Sequence, residues 1–405
     1  MRMKLWGSRS AFLSCVALAA CAAGSDDTTG DGTGGISSSG GAKTNSTSSS
    51  GSSGTGTTSG SQDTSSGSGT GTSSGQGTSS GSSGVGDDSG SSSDDGGSTT
   101  DDGGSGSSSG GVTSDAGASN GCDGFAGYVR GAAPTSTSAS VAGPYKTMSY
   151  AANASVRSTM AYDVNSAHIY YPVGATAPFT AISVVPGFTA AESSIADWGP
   201  FLASWGIVVM TFGTSNPSTG GSDTSVLPPV REAALLDALT TIKGENTRSG
   251  SPLKGQLDVN RLGTAGWSMG GGGTLLAANS TPSLKATFAM EPWNPSTTYP
   301  MDTVPTLIFA GTADGLAGPP MPQNQYMSIP STTPKILYEV QGGSHFVSTS
   351  PTNSGTDMAP DTTSTPTIAR FGLSWLKVYL ECDTRFRQFL LVKPSDAAEF
   401  DSTVM

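Results

Sequence analysis

The stretch Val259-Asn260-Arg261-Leu262-Gly263-Thr264-Ala265-Gly266-Trp267-Ser268-Met269-Gly270-Gly271-Gly272-Gly273-Thr274-Leu275-Leu276 decides the fold. Residues 261–267 read as a buried strand and 269–279 as a helix, with Gly-x-Ser-x-Gly at their junction. That pattern suits a serine nucleophile on a sharp strand-to-helix turn. The turn imposes an unusual backbone angle on the serine and packs backbone too closely for a Cβ beside it. The five-residue pattern recurs around Ser73, Ser79 and Ser108, but in low-complexity sequence without a strand or helix. Context therefore singles out Ser268; the alternative is a glycine-rich strand–helix turn without chemistry.

Outward from this elbow, apolar or β-branched runs occur at 145–151, 167–172, 180–185, 206–212, 286–290, 304–310 and 335–340. Helical patterns lie at 194–204, 230–243 and 368–380. Strands alternating with helices predict an α/β fold: a mostly parallel sheet with helices on both faces. Pro228 and Pro229 open the clearest helix, where a missing N–H costs nothing.

The chain has 405 residues, 57 of them glycine, and a net charge of −12. Residues 24–121 are nearly all Ser, Gly, Thr and Asp, a composition that cannot bury enough apolar surface to offset chain entropy. Three segments are predicted: an export signal over 1–20, a disordered linker over 21–121 and one catalytic domain over 122–405. The linker carries eleven aspartates against Lys43, so most of the negative charge is the linker's. No basic stripe exists, which argues against nucleic acid as a partner.

Arg2, Lys4 and Arg9 precede an apolar run that ends in Leu18-Ala19-Ala20-Cys21. This reads as a signal peptide, too short to span a membrane permanently. Its end resembles a bacterial lipobox, which predicts lipidation of Cys21 and a membrane-tethered, exported protein, with the outer membrane favoured by Ala22. Ordinary cleavage after Ala-x-Ala is the alternative. Cys122 and Cys382 flank the folded domain, and an oxidising compartment makes a bridge between them plausible, with free thiols as the alternative.

A serine hydroxyl needs a base, and the base an orienting carboxylate. Of two histidines, His168 lies within an early strand and reads as a half-buried structural residue. His345 lies in a glycine-rich loop after a strand and fits the order nucleophile, acid, histidine. Asp314 follows the run at 304–310 and is the candidate acid. Asp302 precedes that run and would sit at the wrong end. Glu291 is the fallback acid, with a solvated or structural charge as its other reading. The backbone N–H groups of Met269 and Phe188 are placed to form an oxyanion hole.

Pro186-Gly187-Phe188-Thr189-Ala190, Trp198-Gly199-Pro200, Gly266-Trp267-Ser268-Met269-Gly270, Pro292-Trp293, Pro305-Thr306-Leu307-Ile308-Phe309 and Gly342-Gly343-Ser344-His345 together resemble the bacterial cutinase and polyester (PET) hydrolase family. The resemblance covers nearly the whole folded domain. It implies a lidless α/β-hydrolase that cuts esters in an open aromatic groove. Phe188 would clamp the acyl group and Trp293 would form the opposite wall, with Trp267 and Phe346 also lining the groove; core packing is the other reading of Trp293 and Phe346. No cofactor or metal is implied, and a monomer is expected. The stretch 347–366 is longer than the pattern and is expected to reshape the groove. A short-chain carboxylesterase or lipase is the close alternative function, and a non-catalytic binding protein the distant one.

Overall fold

A computed structural model describes residues 122–153, 155–156, 166–214, 227–295, 298–352 and 363–404. The export signal, Cys21, the linker and part of the stretch after His345 lie outside the described residues. Nine strands form one sheet: β1 (Lys146–Ala151), β2 (Ser166–Val173), β3 (Phe179–Val185), β4 (Val208–Gly213), β5 (Leu257–Trp267), β6 (Ala286–Met290), β7 (Thr306–Gly311), β8 (Lys335–Val340) and β9 (Ala397–Ser402). Their order is β1-β2-β4-β3-β5-β6-β7-β8-β9. The pairings from β4 to β8 are parallel, and β1, β2 and β9 join antiparallel at the edges.

Burial explains which runs become which strands. The strands β3, β4, β6, β7 and β8 are buried at every position, as expected for parallel strands covered on both faces. The edge strands β1 and β9 are half polar and half exposed. That is why Ala397–Ser402 gives little strand signal in the sequence.

Successive side chains alternate between the faces. On β3, Ile182 and Val184 join a core with Trp198, Phe288, Phe371 and Trp375, while Ala181 and Val185 join one with Phe212, Leu235 and Ile242. The first core is covered by α1 (Trp198–Ala203) and α5 (Thr365–Tyr379). The second is covered by α2 (Pro228–Glu245) and α3 (Met269–Ser280). The buried residues Pro228, Arg231, Leu235, Ala238, Ile242 and Glu245 recur along one face of α2, at the helical period. The helix α4 (Pro320–Ser328) is absent from the sequence reading because its prolines look like breakers. They fall in its first turn, where N–H groups have no intrahelical acceptor anyway.

Cys122 and Cys382 form a disulfide that joins the two ends of the described domain. Around it, Glu381 accepts hydrogen bonds from Arg130 and Lys377, each at 2.5 Å. Arg261 donates to the carbonyls of Leu380 and Tyr379. Arg130 also reaches the carbonyl of Pro178, just before β3, so this cluster staples the termini to the amino ends of the central strands.

Candidate active site

Register brings the site together. Val185 lies beside Gly266, Trp267 beside Met290, and Gly311 beside Val340. The carboxyl ends of β3, β5, β6, β7 and β8 therefore form one row. Phe188, Ser268, Glu291, Asp314 and His345 all follow these ends within a few residues. The connections from β3 and β5 leave towards opposite sides, and such a switch point opens a crevice.

Ser268 sits at the elbow with φ 57° and ψ −119°, a region costly for a side chain. Three backbone hydrogen bonds hold it there. Its N–H donates to Met290 O at 2.8 Å, and its carbonyl accepts from Trp293 N at 2.8 Å and Gly272 N at 2.9 Å. The glycine run Gly270–273 is a matter of close approach. A Cβ would lie 2.5 Å from the Val185 carbonyl at Gly270, 2.9 Å from that of Met290 at Gly271, 2.4 Å from that of Trp293 at Gly272 and 2.6 Å from Arg231 Cβ at Gly273. The first turn of α3 thus seats directly on the loops after β3 and β6 and on α2.

His345 Nε2 lies 2.9 Å from Ser268 Oγ, and His345 Nδ1 lies 2.7 Å from Asp314 Oδ2. An ionised carboxylate only accepts, so Nδ1 carries the proton and Nε2 accepts from the serine. The other oxygen of Asp314 accepts from the N–H groups of Leu316 at 2.7 Å and Ala317 at 2.8 Å. The three residues are about 5–6% exposed, so water has limited access to the chain their side chains form. Such a chain can take a proton from an attacking hydroxyl and return it to a leaving group.

The N–H groups of Phe188 and Met269 have no hydrogen-bond partner among the described residues. Both flank the serine: Met269 follows it, and a Cβ on Gly187 would lie 2.7 Å from Ser268 Cβ. Two unspent donors beside a nucleophile can receive a developing oxyanion.

The aromatic residues divide. Phe188, Trp293 and Phe346 are half-buried, as a groove lining requires. Trp267 is not: only 3% exposed, it donates its indole N–H to the His345 carbonyl at 2.6 Å and packs against the His345 and Phe346 rings. This corrects the expectation that Trp267 lines the groove; it stands behind the histidine and holds its loop.

The loop after His345 is also anchored. Ser348 O accepts from Trp198 Nε1, Ser350 Oγ donates to Asp197, and Ser348 Oγ donates to Glu291 Oε1 at 2.7 Å. Residues 347–350 are buried, and 353–362 lie outside the described residues. Glu291 is fully buried, not solvated, and adopts φ 39°. Its Oε2 has no partner. Burial, with the nearby charge of Asp314, pushes its carboxyl well above the ordinary carboxylate range.

His168 stands apart from the triad. It is half-buried on β2, with Nδ1 3.0 Å from Glu192 Oε1, as its structural reading requires. Asp302 is buried before β7, bonded to Val304 N and Thr306 Oγ1. The sequence reading passes over Arg231, a fully buried guanidinium whose Nη2 donates to Gly187 O at 2.7 Å. The available signal is a cation at a helical position whose neighbours at three and four residues are apolar.

A family model described as PET hydrolase-like matches residues 123–405. Bis(hydroxyethyl) terephthalate hydrolase of Streptomyces coelicolor is 38% identical over 272 residues, covering 66% of this chain and 78% of the relative. Cutinase est2 of Thermobifida alba is 36% identical over 241 residues, 58% of this chain and 72% of the relative. A cutinase of Thermobifida fusca is 33% identical over 231 residues, 56% of this chain and 68% of the relative.

Proposed function

The chain belongs to the PET hydrolase-like family, and on that premise we propose that it is a serine-dependent carboxylic ester hydrolase with polyesters among its substrates. One observation carries the mechanism: an unbroken hydrogen-bonded chain from Ser268 through His345 to Asp314, with two unspent N–H donors beside the serine. Ser268 Oγ attacks the ester carbonyl while His345 Nε2 takes its proton. Negative charge gathers on the carbonyl oxygen and is received by the N–H groups of Phe188 and Met269. The imidazolium, oriented by Asp314, passes the proton to the departing alkoxide. Water, deprotonated by the same imidazole, then attacks the acyl-enzyme and frees Ser268.

Phe188, Trp293 and Phe346, half-buried next to the oxyanion donor, the elbow and the histidine, supply apolar area for an acyl group. The names of the relatives, a terephthalate ester hydrolase and cutinases, support aromatic and long-chain esters as the substrate class. The N-terminal sequence supports export and attachment through a lipid on Cys21, with residues 24–121 as a tether for a domain beginning near Cys122.

The test is hydrolysis of p-nitrophenyl esters of increasing acyl length, and of a polyester film, by the chain and its Ser268→Ala variant. Turnover that vanishes in the variant, with soluble aromatic acid released from film, is the expected result. Turnover on short acyl chains alone would reduce the reading to a short-chain carboxylesterase. Undiminished turnover in the variant would overturn the serine mechanism.

A further inference from the structure

We propose that Arg231 is a positioning residue for the oxyanion hole, acting through the Gly187–Phe188 peptide. The inference rests on the proposed role of the Phe188 N–H. Carbonyl and N–H of one trans peptide point in opposite directions, because the unit is planar. The Gly187 carbonyl and the Phe188 N–H belong to one such unit, and among the described residues only Ala177–Pro178 is cis. Arg231 Nη2 donates to that carbonyl at 2.7 Å. Holding the oxygen towards α2 turns the N–H the other way, towards Ser268.

The arm that does this is itself fixed. Arg231 is fully buried, and its Nη1 donates to Thr214 Oγ1 just beyond β4. Its Cβ packs where α3 passes, close enough that Gly273 has no room for a side chain. The same residue therefore touches, through its guanidinium, the loop that supplies one oxyanion donor and, through its Cβ, the helix whose first residue supplies the other. Among the described residues the backbone donor to Gly187 O is Ala190 N, at a weak 3.4 Å. Next to it, Thr189 adopts φ 50°, so the loop is not in a relaxed conformation of its own.

Two consequences follow for the reaction. A charge-assisted hydrogen bond is stronger than a neutral one, so the peptide is held more firmly than by a backbone donor. Donation to the carbonyl also polarises the peptide and makes its N–H a better donor. Both effects matter most when charge develops on the substrate oxygen, so they act on turnover more than on substrate binding.

The experiment compares the wild-type chain with Arg231→Met and Arg231→Lys. It measures kcat and KM on a p-nitrophenyl ester and the Ki of an aryl boronic acid. The boronic acid accepts the Ser268 Oγ lone pair to form a tetrahedral boronate, with one hydroxyl where the oxyanion would lie. Losing an oxyanion donor costs roughly 10²–10³-fold, so a misaimed donor in Arg231→Met should lower kcat about 10- to 100-fold. KM should change little, and the boronate Ki should rise by the same factor as kcat/KM falls. Arg231→Lys, which keeps a cation able to reach Gly187 O, should recover most of kcat and of boronate affinity. Should Arg231→Met not fold, Arg231→Gln takes its place, with the same parallel fall in kcat/KM and boronate affinity expected. Arg231→Met, or Arg231→Gln in its place, with an unchanged near-ultraviolet circular dichroism spectrum and wild-type kcat and Ki would overturn the inference. So would a fall in kcat with boronate affinity intact. Failure of the underlying serine mechanism is separate: it appears as activity surviving in Ser268→Ala.

Discussion

Two clusters of buried polar groups sit at opposite ends of the central strands. At the amino ends, Glu381 is met by Arg130 and Lys377, Arg261 reaches the backbone of α5 and its exit, and the Cys122–Cys382 bridge closes the group. At the carboxyl ends, Ser268, His345 and Asp314 are linked, yet two N–H groups and one oxygen of Glu291 have no partner among the described residues. Buried groups are normally satisfied because an unmet one costs about 1–3 kcal/mol. The first end follows that rule and serves stability. The second departs from it, and at its two N–H groups a reacting substrate would supply the missing charge.

If that division is right, substitutions at the two ends should separate activity from stability. The largest effect belongs to Asp314→Asn, which leaves the shape but favours the wrong imidazole tautomer. Turnover should fall by about 10⁴-fold with little change in thermal midpoint, measured by ester hydrolysis and by calorimetry. A loss under tenfold would mean that another group, Glu291 foremost, orients His345.

The opposite pattern is expected when both Cys122 and Cys382 become serine. Opening a loop that spans 260 positions should cost about 4–5 kcal/mol in the chain-entropy model, with kcat at assay temperature unchanged. Denaturant unfolding beside single-temperature kinetics reads both quantities. A parallel fall in kcat would erase the separation between the two ends.

A smaller effect concerns Asp302, at the amino end of β7. Burial pushes its carboxyl up to about 7, against an ordinary value near 4. Between these values the folded state holds the proton more tightly than the unfolded chain, so stability falls as pH rises through that window. Asp302→Asn should flatten this part of the stability–pH curve, while the pH profile of kcat stays as in wild type.

The smallest effect is expected of Glu291→Gln, which keeps the shape without a charge and still accepts from Ser348. Its kcat at neutral pH should stay within about twofold of wild type, because the hydrogen bond from Ser348 is kept. A large loss would assign Glu291 a charged role beside Asp314.

Much of this arrangement was legible beforehand, for physical reasons. Parallel strands buried on both faces leave apolar runs, as at β3 and β7, and the elbow's glycines mark a steric demand that no other residue meets. The order of Ser268, Asp314 and His345 then follows from which loops end up at the carboxyl edge. The misses share a cause. The strand Ala397–Ser402 earns its place by pairing with β8, not by its own pattern, and α4 hides behind prolines that its first turn tolerates. Arg231, Glu291 and Trp267 take their surroundings from segments distant in sequence, so composition alone does not separate a buried charge from a solvated one, or a supporting ring from a groove wall.

The central claim is that Ser268 is the nucleophile, and covalent capture tests it most directly. A p-nitrophenyl phosphonate ester should phosphonylate Ser268 Oγ, releasing one equivalent of p-nitrophenolate as activity disappears. Peptide mass spectrometry should then find the added mass on the peptide containing Ser268 and nowhere else. Complete inactivation with the label on another residue, or full labelling with activity retained, would contradict the account.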